Sequence, residues 1–364
     1  METLKTTCLH PRHVSMGALM SPFGGFDMPI QYKGIVDEHN AVRTAAGVFD
    51  VSHMGEVLVS GPQAELFVNH IFSNDISACS DGKILYGMML NHDGGVVDDL
   101  LVYRRSASEF FIVINASNID KDVEWITAQA KDYDVKIDHL SDSYGELAVQ
   151  GPEAEKILRD VLGIDCADLT FYTFKDIVID GVPSIVSRTG YTGEDGFEIY
   201  SSPAVTVALW DKLIDAGVQP CGLGCRDTLR FEAGLPLYGD ELSDTITPVE
   251  AALSMFVKLD KPEFIGKDVC ARQKAEGAPR KLVGLEVEGL AIPRHGYEVL
   301  NADGEIIGTV TTGYHSITLD KNLAMALIDS RYAALGTELK VKVRRKVFPA
   351  VVVKKRFYTP NYKK

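Results

Sequence analysis

The chain has 364 residues and a net charge of −14, and 46% of its residues are hydrophobic. This composition is typical of a soluble globular protein, and the length is enough for two or three domains. The acidic balance argues against bulk nucleic-acid binding, and no apolar run approaches the roughly 20 residues that span a bilayer. An N-terminus without an apolar signal core and six scattered cysteines predict a cytoplasmic protein.

Two features stand out in the first half of the chain: a Ser-His segment within residues 50–55 and a short internal repeat. Ser52 and His53 are neighbours, so on a strand they face opposite sides and cannot act as a nucleophile–base pair. Residues 56–65 resemble residues 146–155: each is a strand, then Gly-Pro, then a helix. The repeat predicts two similar α/β units in a pseudo-duplicated body, although a strand–Gly-Pro–helix segment also recurs by chance.

Residues 91–103 form the densest motif, in which the Gly94-Gly95 turn leads into an apolar strand that contains Asp98 and Asp99. Successive strand side chains point to opposite faces, so the two acids cannot face the same place. One of them faces a pocket if burial of its charge is offset by a ligand or partner. The alternative is a hairpin with a solvated acidic pair.

Three further stretches follow in chain order. Residues 119–132 and 204–217 have the periodicity of amphipathic helices. In residues 188–200, three glycines precede a strand in which Glu198 faces away from its two apolar neighbours. A carboxylate there suits the paired N–H donors of an aminopyrimidine-like ring, and the alternative is a glycine turn with surface acids.

Residues 221–234 contain two cysteines and two arginines. Cys221 and Cys225 lack a second Cys pair or a nearby His, so no metal site is expected. Arg226 and Arg230 lie one helical turn apart, where they either bind a carboxylate or make surface ion pairs.

The last part of the chain is β-rich and basic. A linker is expected at residues 274–281, followed by six or so short strands that predict a small β-barrel or sandwich. Ten Lys and Arg and no acid fall between Lys340 and Lys364. Such a segment favours an anionic ligand or partner. The alternative is that its lysines protect an exposed strand edge from pairing with another chain.

Together these segments resemble the aminomethyltransferase, or T-protein, family of the glycine cleavage system. The resemblance runs nearly end to end and is carried by residues 23–32, 38–39, 43–54, 90–91, 94–99, 189–194, 221–224, 226–230 and 237–239. Cys225 departs from the pattern only in replacing a small residue. Two other activities of the superfamily remain as alternatives: a folate-dependent demethylase and a folate-binding iron–sulfur assembly factor, although the functional cysteine of the latter is absent here.

The resemblance implies an α+β fold with a three-lobed, cloverleaf-like arrangement. Residues 1–275 would form a folate-binding body of two interleaved lobes, and residues 276–364 a C-terminal β-barrel. Tetrahydrofolate would be the co-substrate, with no metal. The lipoylated H-protein would deliver the aminomethyl group, with the P- and L-proteins in the same system. The products would be 5,10-methylenetetrahydrofolate, ammonia and dihydrolipoyl H-protein.

The resemblance also implies site residues. Asp98, the first acid of the Gly94-Gly95 motif, would be catalytic, and Asp99 would face away from the pocket. The matching folate-site residues are Glu198, Arg226 and Tyr362, with weaker candidates at Tyr86, Met54, Asn115 and Tyr191.

Overall fold

The computed structural model describes residues 3–359 and Tyr362. Its strands are β1 (Leu19–Phe23), β2 (Phe26–Gln31), β3 (Gly47–Asp50), β4 (Gly55–Ser60), β5 (Ile84–Leu90), β6 (Val96–Ser106), β7 (Glu109–Ile114), β8 (Lys136–His139), β9 (Gly145–Gln150), β10 (Phe174–Ile179), β11 (Val182–Ser187), β12 (Gly196–Ser201), β13 (Gln219–Cys221), β14 (Arg280–Val287), β15 (Glu298–Leu300), β16 (Ile306–Ser316), β17 (Lys321–Asp329), β18 (Glu338–Val343) and β19 (Lys346–Val353).

The described residues form eight α-helices. They are α1 (His10–Ser15), α2 (Ile35–Thr44), α3 (Ala64–Ile71), α4 (Ile119–Gln129), α5 (Ala154–Leu162), α6 (Pro203–Asp215), α7 (Leu223–Glu232) and α8 (Lys267–Glu276). Single turns of 3-10 helix occur at Ala116–Asn118, Ala130–Asp132, Ser141–Ser143, Ser254–Phe256 and Ser330–Tyr332. No helix among the described residues is long and apolar enough to cross a membrane.

The repeated sequence segment starts two sheets of related topology. One sheet has the order β5-β6-β7-β4-β8 and the other β10-β11-β12-β9-β3-β13. In each, the strand before Gly-Pro (β4 or β9) pairs with the last strand of a three-stranded meander. Apolar residues of α3 and α4 cover the first sheet, and those of α5 and α6 cover the second. The two α/β units predicted from the repeat are therefore present.

The C-terminal strands β14 to β19 form a closed barrel, as the sequence predicted, in the order β14-β17-β16-β15-β18-β19. Inward-facing residues such as Leu285, Val299 and Val341 fill it. The predicted linker is shorter than expected, because α8 continues to Glu276 and only the next few residues precede β14. The mixed α and β fold with a C-terminal barrel is confirmed. The division of the chain at residue 275 stays a prediction.

The two sheets of the body face each other through an aromatic cluster. Tyr103 on β6 packs against Tyr200 on β12, with Phe111 and Phe174 beside them. The hydroxyl groups of Tyr103 and Tyr200 are hydrogen-bonded at 2.9 Å. This hydrogen bond supplies each buried hydroxyl with a partner. Tyr200 also lines the cavity between the two sheets.

The Gly94-Gly95 turn is held against the segment that follows α7. Gly94 has a φ of +81°, and a Cβ on Gly95 would lie 1.7 Å from the carbonyl oxygen of Asp244. The Val96 N–H donates to the carbonyl of Ser243 at 2.9 Å. The second glycine is therefore needed for close backbone approach, and the turn fixes where β6 begins.

We expect Gly95→Ala to lower the free energy of unfolding by about 3 kcal/mol, because the new methyl group has to displace backbone. Gly181→Ala is the control for backbone strain without close approach: the φ of Gly181 is positive, at +81°, and a Cβ there meets no atom within 4 Å. The control is expected to lose only about 1 kcal/mol. Urea unfolding of both variants checks this, and equal losses would contradict the close-approach argument.

Candidate active site

A cavity of about 340 Å³ lies between the two sheets, α7 and the C-terminal segment. Its size is within the range of small-molecule sites. It contains six of the eight residues that the sequence analysis selected: Met54, Tyr86, Asn115, Tyr191, Glu198 and Arg226. The other two, Asp98 and Tyr362, are not among the residues that line it.

The two acids of β6 face opposite sides, as predicted from the alternation of strand side chains, but their assignment to the faces was wrong. Asp99 lines the cavity. Asp98 is fully buried on the other face, beside Asn118 and α4. The pairing of β5 with β6 shifts between Met89 and Leu90 and leaves Val97 of β6 without a partner, so a β-bulge lies directly before Asp98.

The Asp98 carboxylate is held by hydrogen bonds from two asparagines. It accepts from the backbone N–H and the Nδ2 of Asn115, both at 2.9 Å, and from the Nδ2 of Asn118 at 2.7 Å. Burial and the Asp98 charge raise the pKa of nearby Asp122 to about 10, so the Asp122 carboxyl is neutral beside Asp98.

Asp99 is held in the cavity by two side chains. Its Oδ2 accepts from the Tyr86 hydroxyl at 2.9 Å, and its Oδ1 accepts from the Nδ2 of Asn115 at 3.0 Å. Burial, and then the charge of Asp98, raise the pKa of Asp99 to about 7. The Asn115 side chain donates to both Asp98 and Asp99, so it fixes the position of the Asp99 carboxyl relative to that of Asp98.

Glu198 lies on β12 at the same cavity. Its Oε2 accepts from the Thr189 hydroxyl at 2.5 Å, and Thr189 is in turn hydrogen-bonded to Ser187 at 2.6 Å. Burial raises the pKa of Glu198, and the Thr189 hydrogen bond and the Arg226 charge oppose that rise. A carboxylate oriented in this way has acceptor positions left for a ligand.

The two arginines of α7 have different surroundings. Arg226 lines the cavity and stacks over the Tyr191 ring, with its guanidinium carbon 4.4 Å from the ring centroid. Arg230 is fully buried and pairs with Asp227 at 2.6 Å and with Glu241 at 2.7 Å. Arg226 is therefore available to a ligand, whereas Arg230 joins α7 to the barrel through Glu241, which accepts from Thr311 and Thr312.

The C-terminal segment returns to the cavity after the barrel. Lys355 and Arg356 belong to the basic segment for which an anionic ligand or partner is expected, and both line the cavity. Tyr362 stacks on Phe171 at a centroid distance of 4.1 Å. Burial, and then Tyr362, raise the pKa of Tyr172, which does line the cavity. Tyr362 thus lies next to the site rather than in its wall.

Glu232, at the end of α7, holds this segment in place. Its carboxylate accepts from Ser316 at 2.6 Å and Thr318 at 2.5 Å, and it pairs with His39 at 3.3 Å. The backbone N–H groups of Phe357 and Tyr358 donate to its carbonyl. Burial alone would raise the pKa of Glu232, but the hydrogen bonds from His39, Ser316 and Thr318 lower it to about 2.

Because the folded state lowers the pKa of Glu232 to about 2, its stabilising contribution is present above the unfolded value and is lost as pH falls through about 2. The difference corresponds to a free energy on the order of 3 kcal/mol. We expect Glu232→Gln to reduce the acid-dependent part of the unfolding free energy between pH 4.5 and 2. Glu286→Gln, at the half-exposed pair with Lys321, is the control and should leave that slope unchanged. An unaltered slope in Glu232→Gln would refute the assignment.

Comparisons with known proteins agree with this architecture. Residues 9–261 match the GCVT N-terminal domain, and residues 280–359 match the glycine cleavage T-protein C-terminal barrel domain. A crystal structure of glycine cleavage system aminomethyltransferase T from Bartonella henselae superposes with a TM-score of 0.95 at 33% identity, over 100% of both chains.

Curated relatives extend over the full length. An aminomethyltransferase from Caldanaerobacter subterraneus subsp. tengcongensis is 52% identical over 100% of this chain and 98% of its own. An aminomethyltransferase from Clostridium botulinum strain Langeland is 51% identical over 100% of both chains. The chain therefore belongs to the glycine cleavage T-protein family.

Proposed function

We propose that this enzyme, an aminomethyltransferase of the glycine cleavage system, transfers the methylene carbon of an aminomethyl group to tetrahydrofolate. The group is carried on the lipoyl arm of the H-protein. The products are 5,10-methylenetetrahydrofolate, ammonia and dihydrolipoyl H-protein. The observation that supports this best is a single cavity containing a carboxylate with raised pKa, Asp99, and a second carboxylate, Glu198, positioned for paired N–H donors.

The cavity residues fit a reduced pterin. Glu198 accepts from the adjacent N–H groups of the ring, and Met54 supplies a polarizable apolar wall. Arg226 and Tyr191 form a stacked pair at the same wall, where the guanidinium can meet a ligand carboxylate. Tetrahydrofolate supplies the nitrogen nucleophiles of the reaction.

Asp99 is the proposed catalytic carboxylate, in place of Asp98. In its ionised form it stabilises the positive charge that develops on the transferred carbon. The hydrogen bonds from Tyr86 and Asn115 hold it in one orientation, which lowers the reorganisation needed during the reaction. Asp98 positions Asp99 indirectly, through their common partner Asn115.

A single-turnover assay tests the function. Aminomethylated H-protein is mixed with the enzyme with and without tetrahydrofolate, and ammonia and methylenetetrahydrofolate are measured. We expect ammonia release that depends on folate, with one methylene group transferred per ammonia. Absence of folate-dependent ammonia release would refute the proposal. Folate-dependent removal of a methyl group from a sulfur or amine donor would indicate a demethylase instead.

The basic C-terminal segment is proposed to meet the anionic end of folate or an acidic surface of the H-protein. Arg356 and Lys354 are both exposed, but only Arg356 lines the cavity. We expect Arg356→Gln to raise the Michaelis constant for either tetrahydrofolate or the H-protein about 5-fold at low salt. The increase should be smaller at high salt, because salt screens an exposed contact. Lys354→Gln is the matched control. Unchanged Michaelis constants in Arg356→Gln across salt would exclude this role.

A further inference from the structure

Glu146 is a buried carboxyl in the cavity wall that no step above uses. It lies on β9, lines the cavity and is 2% exposed. Its Oε2 is buried and has no hydrogen-bond partner among the described residues. Burying an unpartnered carboxyl oxygen in an apolar strand is costly unless a ligand satisfies it or the group is neutral. The sequence signal is a Glu next to Leu147 in an otherwise apolar strand, and the sequence analysis did not select it.

The strand register places Glu146 beside Glu198. Tyr200 of β12 is directly opposite Glu146 of β9, and Glu198 is two residues before Tyr200. Side chains two residues apart on a strand share a face, so the two carboxyls are diagonal neighbours on the cavity side of the sheet. Glu198 is anchored by Thr189, whereas Glu146 lacks such an anchor at its Oε2.

The surrounding groups favour one negative charge at this pair of carboxyls. Burial, and then the charges of Glu198 and Glu56, raise the pKa of Glu146 well above its ordinary value. The Tyr200 hydroxyl and the Arg226 charge oppose this rise without cancelling it. Two carboxyls close together in a low-dielectric site do not both ionise near neutral pH. The groups that face Glu146 are Glu198 and Tyr200 of β12, Glu56 of β4, Tyr103 of β6 and Arg226 of α7.

We propose that Glu146 is a protonated carboxylic acid that donates a hydrogen bond to the bound ring, at the acceptor atom next to the N–H edge that Glu198 recognises. A 2-amino-4-oxo-pyrimidine ring has such an order of groups: adjacent N–H donors flanked by a ring nitrogen or carbonyl oxygen that accepts. The neutral Glu146 thus donates to one acceptor atom of the ring, and the ionised Glu198 accepts from its two N–H donors. This inference rests on the proposed function, because it assigns Glu146 a part in binding the same ligand.

Equilibrium binding of tetrahydrofolate under anaerobic conditions, without H-protein, tests the proposal. Glu146→Gln retains a neutral N–H donor and is expected to bind within about 2-fold of the unaltered protein. Glu146→Leu removes the donor and is expected to bind about 10-fold more weakly. Glu56→Gln is the matched control: Glu56 is also buried with an unpartnered Oε2, but it does not line the cavity. Its affinity near neutral pH should be unchanged, and the loss of the Glu56 charge should only shift the alkaline fall described below to lower pH.

The pH dependence of tetrahydrofolate affinity shows whether Glu146 donates a hydrogen bond to the ligand or only lines the cavity. In the unaltered protein, affinity should fall on the alkaline side as Glu146 loses its proton, and this fall should be absent in Glu146→Gln. The other facing groups are retained in both proteins, so the difference reports Glu146 alone. Equal affinity of Glu146→Leu and the unaltered protein would overturn the proposal, and so would an identical alkaline fall in Glu146→Gln. If the unaltered protein binds no tetrahydrofolate, the proposed function itself fails.

Discussion

Replacing Asp99 by asparagine is expected to lower kcat by about 10³-fold, with tetrahydrofolate affinity changed much less. The substitution keeps the shape of the side chain and its hydrogen bonding to Tyr86, but it removes the negative charge that faces the transferred carbon. Removing one preorganised electrostatic or acid–base group from an active site commonly costs 10²- to 10⁴-fold, so about 10³-fold is the central expectation. Single-turnover ammonia release and folate binding, measured on the same preparation, separate the two effects.

Asp98→Asn is the matched control for that experiment, since it removes a neighbouring charge that does not face the cavity. Burial and then the Asp98 charge raise the pKa of Asp99 to about 7. If ionised Asp99 is the active form, kcat rises with pH through about 7, and Asp98→Asn should shift this rise to lower pH. In Asp99→Asn the rise should disappear. A near-normal rate in Asp99→Asn, together with loss of the rise in Asp98→Asn, would return the catalytic role to Asp98.

Glu198→Gln is expected to weaken tetrahydrofolate binding about 100-fold. A carboxylate accepts two charge-assisted hydrogen bonds from adjacent N–H groups, whereas an amide offers only one acceptor and opposes the second N–H with its own donor. Each such hydrogen bond is worth about 1.5–3 kcal/mol, and tenfold in affinity corresponds to about 1.4 kcal/mol. The dissociation constant and the rate at saturating folate should be measured together.

Thr189→Val is the control for Glu198. It removes the hydroxyl that donates to Oε2 at 2.5 Å, yet it leaves the carboxylate and its charge in place. We expect a loss of affinity below about 10-fold, since only the orientation of Glu198 is relaxed. If Glu198→Gln and Thr189→Val weaken binding equally, Glu198 does not make the paired contact.

Local sequence patterns predicted the secondary structure well where one face of an element is apolar. The helices expected at residues 119–132 and 204–217 correspond to α4 with its following 3-10 turn and to α6. The Gly-Pro repeat indicated two α/β units, because in both copies Gly-Pro ends a strand and begins a helix that packs on the sheet. The short strands after α8 indicated the barrel for a similar reason, since turn residues separate each strand from the next.

The location of ionisable groups was less predictable. Arg226 and Arg230 are equivalent in sequence pattern, yet one faces the cavity and the other is buried in ion pairs that join α7 to the barrel. Arg230 differs from Arg226 in its distant partners, such as Thr312, which is 82 positions away and accepts a hydrogen bond from its guanidinium. Lys355 and Arg356 line the cavity, and Glu232 and Arg43 hold the residues that follow them in the chain.

For the acids after Gly94-Gly95, the sequence by itself determined that Asp98 and Asp99 point in opposite directions, because the two-residue repeat of a strand is a local property of the backbone. It also determined a turn that only glycine accommodates, and a family whose members share this motif. Only the tertiary structure decided which acid faces the cavity. The bulge in β6, the approach of the Asp244 carbonyl and the position of Asn115 fix that strand, and each depends on segments that meet only in the folded chain.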